Sequence, residues 1–199
     1  MVTVVLIVNS DARNDAIWHH FWSMVANRLY GHWLQRVWHD AGKPTCPDST
    51  IVGNIMKIRA VLDTNILVAG LASQRDASFA LIERALLGHF DLVASPALWL
   101  EYESVLKRKN IVAVHGLASS DIDDILNALA AVVQPVQSHY LWHPQLRDPN
   151  DEMVLEAAVN GQASCLVTLN MRDFIPAAEQ WQLDLRLPGK LLQLLENPS

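Results

Sequence analysis

Four acidic positions recur in one context along this chain, each at the exit of an apolar run or at the start of a helix beside it. Asp63 ends the run Ile58, Ala60, Val61, Leu62, and Thr64 and Asn65 follow it at once. Asp151 comes just after Asp148 and Pro149, and Asp173 trails the apolar stretch 164–169 with Asn170 and Arg172 between. The fourth is one of Glu101 and Glu103, which flank an apolar helical stripe at opposite edges, so helical geometry alone does not choose between them. Hard divalent cations such as Mg2+ and Mn2+ want oxygen ligands, and a few carboxylates with waters suffice. Acids gathered without a cation would repel one another. Two such ions about 3.5 to 4 Å apart can activate a water and stabilise the leaving oxygen in phosphodiester cleavage. Taken singly, each acid reads equally well as a helix cap or a first-turn charge.

To bring such acids together, the elements that carry them must open on one side. Residues 58–62 read as a buried strand, because aliphatic and β-branched residues run there without Gly or Pro. Asn65 then caps a helix begun by Ile66, Leu67 and Val68. Residues 78–87 form a helix with Phe79, Ile82, Ala85 and Leu86 on one side, stopped by Gly88. Leu92, Val93 and Ala94 make a second short strand. Ser95-Pro96 opens the next helix with an N-cap and a first-turn proline, and Leu98, Trp99, Tyr102, Val105 and Leu106 are its stripe.

Ser120 caps a further helix over 121–133, where Asp121, Asp123 and Asp124 suit the helix dipole and are structural. Asp148 caps a late helix whose third residue is Asp151 and whose inward residues are Val154, Leu155, Ala158 and Val159. Residues 164–169 are another strand, 183–187 an edge strand, and 191–195 a closing helical turn. Strands separated by helices argue for an α/β fold with a parallel sheet covered on both faces. In open parallel sheets, ligands bind beyond the carboxyl ends of the strands, where Asp63 stands.

The chain has 199 residues, enough for one α/β core with some excess, and its 15 Lys and Arg against 21 Asp and Glu leave a net charge of −6. So acidic a protein does not hold nucleic acid by non-specific phosphate attraction; it needs local basic groups or metal ions to supply the positive field. Cys46 and Cys165 make neither a disulfide framework nor a metal site, and a reducing, cytoplasmic compartment is expected. No stretch approaches the ~18 consecutive apolar residues of a membrane span. Residues 4–8 lack the basic flank and cleavage pattern of a signal peptide. His139 and His143 lie four apart, but Pro135 and Pro144 make a regular helix doubtful there, and they read as loop histidines. No nucleophile elbow and no Gly-rich phosphate loop is visible.

Residues 1–55 differ from residues 56–199. Trp18, Trp22, Trp33 and Trp38 are four of the seven Trp, and His19, His20, His32 and His39 are four of the eight His. Apolar residues recur helically over 17–37, as on an amphipathic helix that could dock on the main domain or a partner. The loop 42–49, with Pro44 and Pro47, reads as a linker. Because Met56 directly precedes the first strand, residues 1–55 are either an appended module or upstream sequence joined by a misplaced start. Mass spectrometry of the protein from its natural source distinguishes these by an N-terminus at Met1 or at Met56.

Residues 57–195 resemble the PIN-domain ribonucleases, in particular the toxin components of bacterial toxin–antitoxin pairs of the VapC-like kind. Val61-Leu62-Asp63-Thr64-Asn65 looks like the family's opening motif, with the first metal-binding aspartate at Asp63. The segment from Ser95-Pro96 to Leu98-Trp99-Leu100-Glu101-Tyr102-Glu103-Ser104-Val105-Leu106 is similar to the second motif, in which the acid four residues before the Val-Leu pair is functional; this selects Glu101. Arg147-Asp148-Pro149-Asn150-Asp151, followed by Leu155 and Ala158, looks like the third, with Asp151 as the matched acid. Val167-Thr168-Leu169-Asn170-Met171-Arg172-Asp173-Phe174 departs from the pattern, carrying Asn170 where an aspartate is usual. Asp173 is the substitute that other members with a similar Asn suggest. Each piece alone is weak, and their order and spacing carry the resemblance.

The resemblance implies a three-layer fold with a central parallel sheet, and a metal-dependent endoribonuclease acting on single-stranded or looped RNA. It implies Asp63, Glu101, Asp151 and Asp173 as ligands of Mg2+ or Mn2+, with Thr64, Asn65, Thr168, Asn170 and Asp148 orienting waters or carboxylates around them. Lys107, Arg108 and Lys109 would hold RNA phosphates, or simply serve as a favourable helix C-terminus. The partners it implies are RNA, a small antitoxin blocking the acidic cleft, and a second copy, since the family often dimerises. A PIN-like RNA-binding or scaffolding module without nuclease activity is the alternative that Asn170 supports. An acidic phospho-acceptor domain also clusters aspartates at strand ends, but it wants paired acids near the first strand and a late Lys, neither of which is evident.

Overall fold

The strand that ends on Asp63 is the centre of the sheet. A computed structural model describes residues 57–137, 146 and 148–197. Its strands are β1 (Arg59–Leu62), β2 (Asp91–Ala94), β3 (Gln134–Pro135), β4 (Cys165–Val167) and β5 (Asp184–Arg186), ordered β3-β2-β1-β4-β5 and all parallel. The helices are α1 (Thr64–Ala72), α2 (Ala77–Leu86), α3 (Pro96–Leu106), α4 (Lys109–His115), α5 (Ser119–Val132), α6 (Pro149–Asn160), α7 (Met171–Trp181) and α8 (Pro188–Glu196). Ala60 lies beside Leu92 on one side and Cys165 on the other, and Leu62 beside Val167.

From β1 the chain steps outward to β2 and β3, then crosses back over β1 to β4 and β5. Parallel crossovers are right-handed, so this reversal puts the helices of the two halves on opposite faces and makes a three-layer α/β fold. It also opens a crevice between the carboxyl ends of β1 and β4, the switch point at which such sheets bind ligands. Helix α6 covers β1, β2 and β4. Ala60, Val61, Leu62, Leu166 and Val167 are fully buried, which is why these strands are apolar runs rather than alternating ones.

The helix starts follow local chemistry. Ser95 Oγ accepts the Leu98 amide at 3.2 Å ahead of Pro96, and Asp148 Oδ1 accepts the Asn150 amide at 2.9 Å ahead of Pro149. Helix α2 stops as its sequence suggests. Gly88, at φ +70°, lets its own amide reach Ala85 O and that of His89 reach Arg84 O, both at 2.9 Å, in a Schellman closure.

Several expectations need correction. Helix α1 begins at Thr64 and its cap is Asp63, which accepts the Asn65 amide, so Asn65 is inside the helix rather than its cap. Helix α5 begins at Ser119, one residue before the expected Ser120 cap, and Asp121 Oδ2 secures its start by accepting the Ala118 amide at 3.0 Å. Helix α3 ends at Leu106, so Lys109 opens α4 rather than closing α3. Three elements stand where no helix or strand is expected: α4, the two-residue β3, and α7, which carries Pro176 in its interior. The expected helix over 17–37, the linker 42–49, His139, His143 and Arg147 lie outside the described residues.

Candidate active site between β1 and β4

Asp63 joins the two central strands. Its amide donates to Val167 O at 2.9 Å, continuing the β1–β4 ladder one step past the end of β1. Its carboxylate is 5 % exposed and is held from three directions. Oδ2 accepts Thr168 Oγ1 at 2.6 Å and Asn65 Nδ2 at 2.6 Å, while Oδ1 accepts the Asn65 amide at 3.4 Å. Thr168 Oγ1 in turn accepts Asn65 Nδ2 at 3.2 Å and the Asn170 amide at 2.9 Å, and Asn65 Oδ1 accepts the Leu169 amide at 3.2 Å. The Asn65 side chain, expected to cap a helix and to orient a carboxylate, ties the first turn of α1 to the exit of β4. Burial raises the Asp63 pKa, against the hydrogen bonds from Thr168, Asn65 and the Thr64 amide that favour its charge.

Asp151 sits in the first turn of α6, where the cap at Asp148 places it. Its carboxyl is pushed up to about 6, first by burial and then by the negative charges of Asp63, Asp148, Asp173 and Glu152. Those charges come from β1, α6 and α7, so three elements bring their acids within electrostatic reach of one another. Asp173 is held by Asn170, whose Nδ2 donates to Asp173 Oδ2 across the start of α7. Among the described residues, none of Asp63, Asp148, Asp151 and Asp173 has an ion-pair partner, whereas Glu101 is paired with Arg108.

Glu101 has a cationic partner of its own. It lies on α3 and its Oε1 meets Arg108 Nη2 at 3.3 Å. Its neighbour Tyr102, read from the sequence as one more apolar stripe residue, is 1 % exposed and donates its hydroxyl to the carbonyl of Leu62, the residue before Asp63. A tyrosine on a buried stripe was the available signal, since a buried phenol needs a hydrogen-bond partner. Of the basic run, Lys107 bridges Glu103 at 2.7 Å and Asp123 at 2.6 Å, and Arg108 is held by Glu101. Asp123, expected as a first-turn acid, lies beyond the first turn of α5, where Asp121 is the acid, and pairs with Lys107 instead.

The donors around the crevice are carboxylate, amide and hydroxyl oxygens, and among the described residues no cationic side chain pairs with the aspartates, which suits a hard divalent cation in kind. Among the described residues, no three Asp, Glu, His or Cys are gathered as a ready metal site. No described helix is long and apolar enough to cross a membrane.

Fold and crevice together define an α/β protein with a buried aspartate, Asp63, at the switch point of a parallel sheet. The PIN-domain family profile matches residues 59–172, more than half of the chain, and the chain belongs to the PIN-domain family. PIN domains are in general nucleases, and nuclease is the class of activity that this membership indicates. No curated protein matches the chain.

Proposed function

We propose that this protein is a metal-dependent endoribonuclease, the toxin of a type II toxin–antitoxin pair, working in the cytoplasm with residues 56–199 as its nuclease domain. The observation that supports the nuclease reading is the Asp63 carboxylate, buried just past the end of β1 and held by Thr168 and Asn65 at the switch point, with Asp151 of α6 within reach of its charge. Uncompensated acids in that place are costly to the fold and useful to a cation.

In this reading Asp63, Glu101, Asp151 and Asp173 hold Mg2+ or Mn2+. Bound there, the ion would activate water and offset charge on the scissile phosphate. Thr168 and Asn65 hold the Asp63 carboxylate in place, and Asn170 holds that of Asp173. Asp148 adds negative charge beside Asp151, and Thr64 lends its amide to Asp63. Lys109 is the member of the basic run best placed for phosphate, because Lys107 and Arg108 already serve acids of the fold. Exposed Leu169 and Ile175, beside Thr168 and Asp173, offer apolar surface that an antitoxin or a second copy could cover.

The test is cleavage of single-stranded RNA with Mg2+ or Mn2+, comparing the parent with Asp63→Asn. Metal-dependent cleavage that falls by ~100-fold or more in the mutant is expected. Equal inactivity of both would favour the second reading, an RNA-binding or scaffolding PIN module. Asn170, in the place of an acid, and the Glu101–Arg108 pair are the observations on that side. The toxin role is tested by the neighbouring reading frame, which should encode a small DNA-binding protein that binds this chain and suppresses cleavage.

A further inference from the structure

The Leu62–Asp63 link is held from two sides. On one side the Asp63 amide donates to Val167 O at 2.9 Å, and on the other the Leu62 carbonyl accepts the hydroxyl of Tyr102. Tyr102 is fully buried, its ring met edge-on by Trp99 with centroids 6.0 Å apart, and it directly follows Glu101 on α3. Both groups of this bond need it. A buried phenol requires an acceptor, and a buried carbonyl at the end of a ladder requires a donor. The far end of α3 is anchored separately, through Lys107 to Asp123 of α5 at 2.6 Å.

We propose that Tyr102 is a positioning residue of the active site, holding α3 against the end of β1 and thereby setting the separation between Asp63 and Glu101. The inference rests on the reading that these two acids serve one cation, and it names what brings their elements together. Acids on two different elements share an ion only if their spacing is kept within about 0.5 Å, which a hydrogen bond at the adjoining residues of both can do.

The experiment titrates the full chain with Mn2+ alone by calorimetry, with folding followed by circular dichroism. Tyr102→Phe removes one oxygen and keeps the ring against Trp99. Leu129→Ala, a cavity at a buried position of α5, which carries none of the site acids, controls for lost stability. Asp63→Asn controls for the site itself. The expected result is Mn2+ affinity about tenfold weaker in Tyr102→Phe, unchanged in Leu129→Ala and lost in Asp63→Asn. Parent-like affinity in Tyr102→Phe, or an equal fall in Leu129→Ala, overturns the role given to Tyr102. Undiminished binding by Asp63→Asn removes the cation reading instead, and the positioning role with it.

Discussion

Thr168 concentrates the logic of the site in one hydroxyl. It donates to Asp63 Oδ2 and accepts from Asn65 Nδ2 and the Asn170 amide, so a single oxygen binds the exits of β1 and β4 to the starts of α1 and α7. Thr168→Val keeps the shape and strips this hub, leaving the Asn170 amide without its acceptor and the buried Asp63 carboxylate short of one of its donors. Urea unfolding should show a loss of about 1–3 kcal/mol, and cleavage should fall on the order of 10- to 100-fold. Glu83, remote from the site acids in sequence, makes an independent prediction. Burial on α2 pushes its carboxyl up to about 7, against the pull of Arg84. A carboxyl raised on folding contributes stability that is full below its ordinary value of 4.5 and is lost as pH rises through about 7. Glu83→Gln should therefore melt with the parent near pH 4.5 and higher than the parent, by a few °C, at pH 8; equal melting temperatures at pH 8 would contradict it.

At the level of elements, the site depends on close packing of the helix that delivers Asp151. Helix α6 covers the three central strands, and Gly161 at its end lies so near β2 that an added Cβ would stand 2.5 Å from Val93 Cγ1 and 2.6 Å from Ala157 O. Its backbone is ordinary; the constraint is space. Gly161→Ala should cost about 1–3 kcal/mol in urea unfolding, because the backbone oxygen cannot step aside. Strands and capped helices were the legible elements. β1, β2 and β4 were readable from buried apolar runs, and α3 and α6 from Ser95-Pro96 and Asp148-Pro149. Helix α7 was not, because Pro176 breaks the helical pattern while the fold supplies the packing that tolerates it. β3 has two residues, too few for any periodicity.

Across the whole molecule, charge sets the terms on which RNA can be approached. The net charge is −6, and two of the three clustered basic side chains are already engaged by acids of the fold. In EDTA at physiological salt, a labelled single-stranded RNA should bind more weakly than ~10⁻⁴ M by fluorescence anisotropy, and Mg2+ should strengthen it. Micromolar binding in EDTA would mean that a basic surface, rather than a cation, recruits the substrate.

The sequence by itself determined the alternation of strands and helices, the acids at their ends and the family to which they belong, because burial and capping are local demands written in residue type and spacing. It nominated Asp63, Glu101, Asp151 and Asp173 without any means of measuring the distances between them. The tertiary structure decided that Asp63 and Thr168 meet across 105 residues, that Asp151 feels the charges of Asp63 and Asp173 while Glu101 faces Arg108, and that Tyr102 reaches Leu62. Those are consequences of strand order. Only when β4 returns to lie beside β1 do side chains so far apart in the chain become neighbours.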